Sequence, residues 1–241
     1  MPCSNMKYVL WISLLCCWGL YGVTCKAQKR NSLPKRMKVI YVMDPLCGWC
    51  YGNEDNVLKL YEKYKSTVDF EVIPGGMWAG DNVRKQSPQM VNYFMRHDEA
   101  IAKKTGATFG TAYMELLKKE LVLDSEIPSR AIVAVQKIAP AQSIPFMVAV
   151  QKARYYNGKD LNLTATYLPL CDGLGISQAA FLEAFGSEAV RQSTLQTFRK
   201  ATQYAQAYPT MLVEKNGALT VIEQGYAPLN TLEESIDALK K

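Results

Sequence analysis

Clustered charge, low-complexity tracts and internal repeats are all missing from this 241-residue chain, and so is any abundance of histidine or of cysteine in its body. Basic and acidic residues are spread along the chain, so a nucleic-acid partner is not indicated. Nearly half of the residues are hydrophobic and 21% are charged, which argues against disorder and against a polytopic membrane protein. No segment of 20–50 residues recurs, which excludes a solenoid. Lys7 and Lys26 are the only charged residues among the first 27, so the formal charge of +6 falls to +4 for the rest. The length suits one compact domain with a substantial insertion, or two small domains sharing an interface.

Four of the seven cysteines, Cys3, Cys16, Cys17 and Cys25, stand in the first 25 residues. There Lys7 precedes an uncharged apolar run from Tyr8 to Cys25, and polar residues follow. This pattern predicts a signal peptide over residues 1–27, cleaved after Ala27, with Met6 as an alternative start. A lipid-modified Cys25 and an uncleaved anchor are the alternatives. All three export the body to the periplasm or outside the cell. Residues 28–36 read as a linker.

Export leaves Cys47, Cys50 and Cys171. A stapling disulfide framework needs a larger, even set. A zinc half-site at Cys47 and Cys50 would have only His97 and Cys171 to complete it, neither with partner spacing, so no metal is expected. A disulfide across two intervening residues closes too small a loop to stabilise much. The informative feature is the setting of Cys47-Gly48-Trp49-Cys50. Met37 to Met43 reads as a buried strand, Asp44-Pro45-Leu46 breaks it, and Val57, Leu60, Tyr61 and Tyr64 mark an amphipathic helix ending near Lys65. Cys47 then lies at a helix N-terminus, where free N–H groups favour an anion, and a thiolate there is the reactive species. Cys50, one turn inward, can close a reversible disulfide.

In the second half, Tyr208-Pro209-Thr210 leads into two short strands around Asn216-Gly217, a hairpin, and then a helix over Leu229 to Leu239. Pro209 before a strand is compatible with a cis peptide. The residues between read as helices near Leu116 to Leu121, Ala131 to Ile138, Pro145 to Tyr156, Leu163 to Leu174 and Ser187 to Gln206. Cys171 lies in an apolar pattern and reads as a buried small hydrophobe. His97 reads as part of a polar helix face, and Asp124 with Arg130 as an ion pair near a helix start. Trp49, Tyr51, Met77, Trp78 and Tyr208 are candidates for an apolar groove, although core packing explains each taken singly.

Strand, Cys-x-x-Cys, helix and strand, followed much later by Pro, hairpin and helix, resembles a thioredoxin fold split by a long insertion, as in DsbA. The FrnE-like subgroup is matched by Val42 to Gly52 around the cysteines and by Pro74-Gly75-Gly76. Further matches are Thr105-Gly106 with Phe109-Gly110, Asp124-Ser125-Glu126 with Arg130, Ala153-Arg154-Tyr155-Tyr156, and Gly158-Lys159-Asp160. The implied fold class is α/β, with a thioredoxin-like domain over 37–78 and 193–241 and an all-helical insertion over 79–192. The resemblance implies a thiol–disulfide oxidoreductase without a cofactor. Its partners would be protein or peptide thiols and a redox protein that recycles it. Cys47 would be the attacking sulfur and Cys50 the resolving one. Pro209 would be a cis-proline facing them, and the Tyr208 backbone and Trp49 would meet substrate. Gly48, Trp49 and Asp44 would tune the potential, and a Gly-Trp pair without the His of strongly oxidising members implies a less extreme oxidant. Where many relatives place a buried carboxylate, six residues before the first cysteine, this chain has Tyr41. Asp44 is the nearer acid, as a turn cap or as a proton relay. A glutathione-linked isomerase of the kappa or hydroxychromene type, and a peptide-binding chaperone-like module, are the competing readings. In the former, a Ser usually replaces Cys47 and the second cysteine is absent.

Overall fold

A computed structural model describes residues 36–241. The expected signal peptide and all but the last residue of the linker lie outside the described residues. Strand β1 (Lys38–Met43) is buried from Val39 onward, as its unbroken apolar run requires of a strand covered on both faces. It pairs in parallel with β2 (Asp69–Pro74). On its other side it pairs antiparallel with β5 (Thr210–Lys215), which β6 (Ala218–Gln224) joins as a hairpin. The sheet order is therefore β2-β1-β5-β6. Asn216 and Gly217 turn that hairpin with φ of 53° and 83°, values that Asn and Gly tolerate best.

Helices α1 (Gly48–Gly52) and α2 (Glu54–Tyr64) connect β1 to β2. The apolar spacing of Val57, Leu60 and Tyr64 predicts one helix from the cysteines to Lys65, but the helix breaks at Asn53. The last helix, α10 (Leu229–Lys240), closes the sheet with Leu232 and Ile236 buried.

Between β2 and β5 the chain is mostly helical. It forms α3 (Pro88–Thr105), α4 (Thr111–Leu117), α5 (Glu126–Ile138), α6 (Ser143–Tyr155), α7 (Leu168–Gly173), α8 (Gln178–Gly186) and α9 (Glu188–Tyr204). Ser87 caps α3 by accepting from the Met90 N–H at 3.3 Å, and Gly106 ends it at φ 81°. Helix α8 was not legible from the pattern. Its Phe181 and Phe185, one turn apart, stack at 5.5 Å. A two-residue ladder, β3 (Arg84–Lys85) with β4 (Val122–Leu123), also interrupts this helical stretch. Leu121 leads into that ladder rather than extending α4. Arg130 pairs with Glu126 at 3.2 Å, not with Asp124, because one helical turn separates the first two on α5. Asp124 instead accepts from the Glu126 N–H at 2.8 Å, a local turn two residues before the helix begins.

One hydrophobic cluster runs from β1 and α2 through α5, α6 and α8 to α10. The helical stretch therefore shares its core with the sheet. Cys171 is fully buried in this cluster, and burial pushes its thiol up to about 11. No helix among the described residues is long and apolar enough to cross a membrane.

Candidate active site

Strand β1 delivers the chain to Asp44, whose carbonyl accepts from the Cys47 N–H at 3.0 Å and closes the turn before α1. Cys47 is the N-cap of α1, and its sulfur accepts from the Cys50 N–H at 3.4 Å. This cap takes the place of the hydroxyl or carboxylate usually found there. Helix α1 is only five residues long, so the nearby Cys50 amide, rather than a long helix dipole, supplies the polar contact. Cys47 retains 7% exposure, whereas Cys50 has none. Burial pushes the Cys50 thiol well up, and its hydrogen bond to the Cys47 sulfur adds to the effect. The pair thus has an outer and an inner sulfur, both unbonded.

The opposite wall is the loop before β5. The Tyr208–Pro209 peptide is cis, and the Tyr208 carbonyl lies 3.7 Å from the Cys47 sulfur, which donates to it. Gly75 leaves room for that loop. A Cβ there would stand 2.2 Å from the Tyr208 hydroxyl oxygen, so only glycine lets the ring lie against the end of β2.

Asp44 is completely buried. Its Oδ1 accepts from the Leu46 N–H and the Ser125 hydroxyl, both at 2.9 Å, and its Oδ2 accepts from the Met77 N–H at 2.8 Å. These three donors tie the cysteine turn to the loop after β2 and to the start of α5. Burial, only partly offset by these bonds, raises its carboxyl to about 6. Asp44 therefore caps the turn, as one of its two expected roles requires, and also joins two segments distant in sequence.

Tyr41, buried on β1, points its hydroxyl at the Cys50 carbonyl at 3.5 Å. Behind it lies a carboxylate that the sequence reading missed. Glu223 on β6 is buried, accepts from Asn53 Nδ2 at 2.9 Å and from the Ala227 N–H at 3.0 Å, and is raised by burial to about 7. The alternating strand pattern around Val221 and Ile222 concealed it, since an acid at that point reads as a solvent-facing residue.

Beside Cys47 opens a cavity of about 560 Å³, whose lining includes Trp49, Met77, Trp78, Phe94, Asp98 and Arg154. His97 also borders it, exposed, with its ring 4.0 Å from that of Tyr93. Tyr51 does not line it. Its ring stacks on Tyr155 at 4.9 Å and its hydroxyl donates to the Thr108 carbonyl at 2.6 Å, which places it in the aromatic core. Tyr208 borders a smaller cavity of about 370 Å³ with Trp49, Lys104 and Tyr226, so Trp49 borders both. Asp98 was also missed. Its carboxylate, buried on α3, accepts from the Tyr113 hydroxyl at 2.9 Å, and burial raises it to about 6. A Cβ on Gly48 would lie 3.0 Å from Asp98 Oδ1, so the small residue between the cysteines lets α3 approach. Phe94, Asp98 and Ile101 share one face of α3, and an acid in that stripe was the available signal. No cluster of three or more potential metal ligands occurs among the described residues.

The family pattern described as Thioredoxin matches residues 41–219, most of the chain. The chain belongs to the thioredoxin family. Among solved structures, this thioredoxin-family chain is similar to a provisionally named protein disulfide isomerase from Nitrosomonas europaea. That likeness has 26% identity and a TM-score of 0.77, and covers 86% of this chain and 98% of that one. It is also similar to the cytosolic disulfide reductase DsbM from Pseudomonas aeruginosa, at 28% identity and TM-score 0.70, covering 84% and 98%. The same DsbM with GSH matches at 26% and 0.70, covering 85% and 100%. No curated protein sequence matches the chain. The thioredoxin core with a helical insertion is the DsbA-type arrangement, and the chemistry common to these relatives is thiol–disulfide exchange.

Proposed function

We propose that this protein is a FrnE-like thiol–disulfide oxidoreductase that exchanges disulfides with protein or peptide cysteines through Cys47 and Cys50. The observation that carries the reading is the placement of the Cys47 sulfur. It is slightly exposed, 3.7 Å from the carbonyl before the cis Pro209, with the fully buried Cys50 one turn behind. A substrate segment passing Pro209 in extended form would pair with the Tyr208 backbone and bring its own sulfur to Cys47. Trp49 would supply apolar contact beside it. In the oxidising direction a substrate thiolate attacks Cys47 of the Cys47–Cys50 disulfide, and Cys50 leaves. The substrate's second thiolate then attacks its own mixed-disulfide sulfur and releases Cys47. The reverse sequence reduces a substrate, with Cys50 resolving the mixed disulfide. Gly48, Trp49 and Asp44 set the relative stability of the two redox states, and a separate redox protein restores the starting one.

Buried Cys50 weighs against a glutathione-linked isomerase of the hydroxychromene type, whose chemistry has no use for a resolving thiol. Residues 1–27 support an exported protein, in contrast to the cytosolic DsbM. Fractionation of cells expressing the full chain tests that point, with a cytosolic protein of unshortened mass as the contrary result.

The decisive experiment uses a cysteine-containing peptide disulfide. Cys50→Ser must accumulate a mixed disulfide on Cys47, detected as an intact-mass adduct removed by reductant. Cys47→Ser must accumulate none. An adduct on Cys50 in the second variant, or no adduct in the first, overturns the reading. Aggregation suppression that survives loss of both cysteines, without any exchange in the wild type, would identify a chaperone-like module instead.

A further inference from the structure

Arg154 on α6 has no role in the exchange described above, although the Ala153-Arg154-Tyr155-Tyr156 motif stands out in the sequence. Its side chain lines the cavity beside Cys47, and the residue is only 5% exposed. Among the described residues no hydrogen-bond or ion-pair partner meets its guanidinium, and its Nε is buried without any. The guanidinium lies 5.9 and 5.6 Å from the ring centroids of Tyr113 and Tyr155. Those faces offset part of the cost of burying a cation but take none of its N–H donors. A buried unpaired charge is one of the most expensive features a fold can carry. Here it faces a cavity shared with the outer sulfur of the redox pair.

Asp98 is the other buried charge on this wall. Its Oδ2 accepts from the Tyr113 hydroxyl, and it forms no hydrogen bond or salt bridge with Arg154, whose charge acts on it only through space and lowers its carboxyl a little against the larger effect of burial. His97 and Gln89 complete the polar lining, and Met77, Trp78 and Phe94 make most of the remainder apolar. The cavity therefore combines largely apolar walls with a reactive sulfur at one place and the Arg154 guanidinium at another.

We propose that this cavity is a binding site for low-molecular-weight disulfides and thiols that bear a carboxylate a few bonds from the sulfur, with Arg154 as the carboxylate receptor. A planar guanidinium and a carboxylate match in a two-pronged charge-assisted contact. At about 560 Å³ the space takes a small organic molecule and not a protein loop. The proposal rests on the Cys47–Cys50 redox reading and deepens it by naming a substrate class. Bound in this way, the substrate disulfide R–S–S–R is attacked by the Cys47 thiolate. A Cys47–S–S–R bond forms and one R–S⁻ leaves. Cys50 then gives its proton to the R–S⁻ just released and attacks Cys47, closing the Cys47–Cys50 bond and expelling the second R–S⁻. Two electrons pass from the protein dithiol to the substrate disulfide.

The test mixes reduced full-length protein, in single turnover, with dithiodipropionate or with its neutral counterpart, bis(3-hydroxypropyl) disulfide. Each rate is divided by the rate of the same disulfide with dithiothreitol, which removes intrinsic reactivity. The normalised rate for the carboxylate should exceed that for the alcohol on the order of tenfold, the scale of a charge-assisted contact. Arg154→Gln should bring the ratio to about one. Equal rates in the wild type, or a preference that persists in Arg154→Gln, overturns the proposal. Where that variant does not fold, redox-inert suberate must inhibit the wild type competitively while 1,8-octanediol does not, and equal effects of the two overturn it. Failure of both disulfides to oxidise Cys47 and Cys50 instead sinks the redox reading itself.

Discussion

At the scale of single residues, the two sulfurs differ through their surroundings more than through their chemistry. Cys50 is enclosed and its thiol is held protonated by burial, while Cys47 keeps a little surface. Brief iodoacetamide treatment of the reduced protein should therefore modify Cys47 at least tenfold faster than Cys50, as peptide mass spectrometry would show; comparable labelling would contradict the arrangement. Glu223 carries a pH signature. Its folded-state value of about 7 lies above the ordinary 4.5, so the folded chain holds that proton more tightly than the unfolded one. The resulting stabilisation is full below about pH 4.5 and is lost as pH rises through about 7. Glu223→Gln should flatten the fall in urea midpoint between those limits, while losing roughly 1 kcal/mol at pH 5 because one of its two donors goes unmet. An unchanged slope would count against a buried titrating carboxylate there. None of this was legible locally: Glu223 reads as a surface residue until β6 is folded over Asn53.

Among the elements, helix periodicity and turn chemistry were the most legible features. Val57, Leu60 and Tyr64 mark α2, and Asn216-Gly217 marks the β5–β6 turn, because both patterns depend on neighbours in sequence. The break between α1 and α2 was not visible, since Asn53 leaves the helix pattern to meet Glu223, a residue 170 positions away. The contact between the end of β2 and the loop before β5 is of the same kind. Pro74-Gly75-Gly76 stands out in the sequence, but only the fold brings the Tyr208 ring against Gly75. Gly75→Ala should push that ring and the Tyr208 carbonyl away from Cys47. We expect a loss of about 1–3 kcal/mol in urea unfolding and a slower exchange rate. A variant with unaltered stability and rate would show that the loop has another support.

For the molecule as a whole, the sheet and the helical stretch between β2 and β5 share one hydrophobic cluster. The aromatic group of Tyr51, Phe109, Tyr113 and Tyr155 adds a second tie between the cysteine helix and α4 and α6. Chains joined in this way unfold as a unit. Far-UV circular dichroism and tryptophan fluorescence should follow coincident urea transitions, and two separated transitions would show that the helical part folds independently. Tyr155→Ala should lower that single midpoint by the equivalent of about 3–5 kcal/mol, as for other large aromatic truncations in a packed core. The experiment also bears on function, because Tyr155, with Tyr113, lines the cavity beside Cys47.

The class of fold, and the redox reading proposed for it, rest on short-range features. Two cysteines at this spacing, between an apolar strand and an amphipathic helix, require only neighbours along the chain to be recognised, and so does a proline before a hairpin. The tertiary structure alone decided which charges are buried and what they face. Asp44, Asp98, Arg154 and Glu223 look alike in a list of polar residues. Yet desolvation depends on segments that arrive from elsewhere in the chain, so their energies, and the anion receptor beside Cys47, exist only once the helices have closed over the sheet.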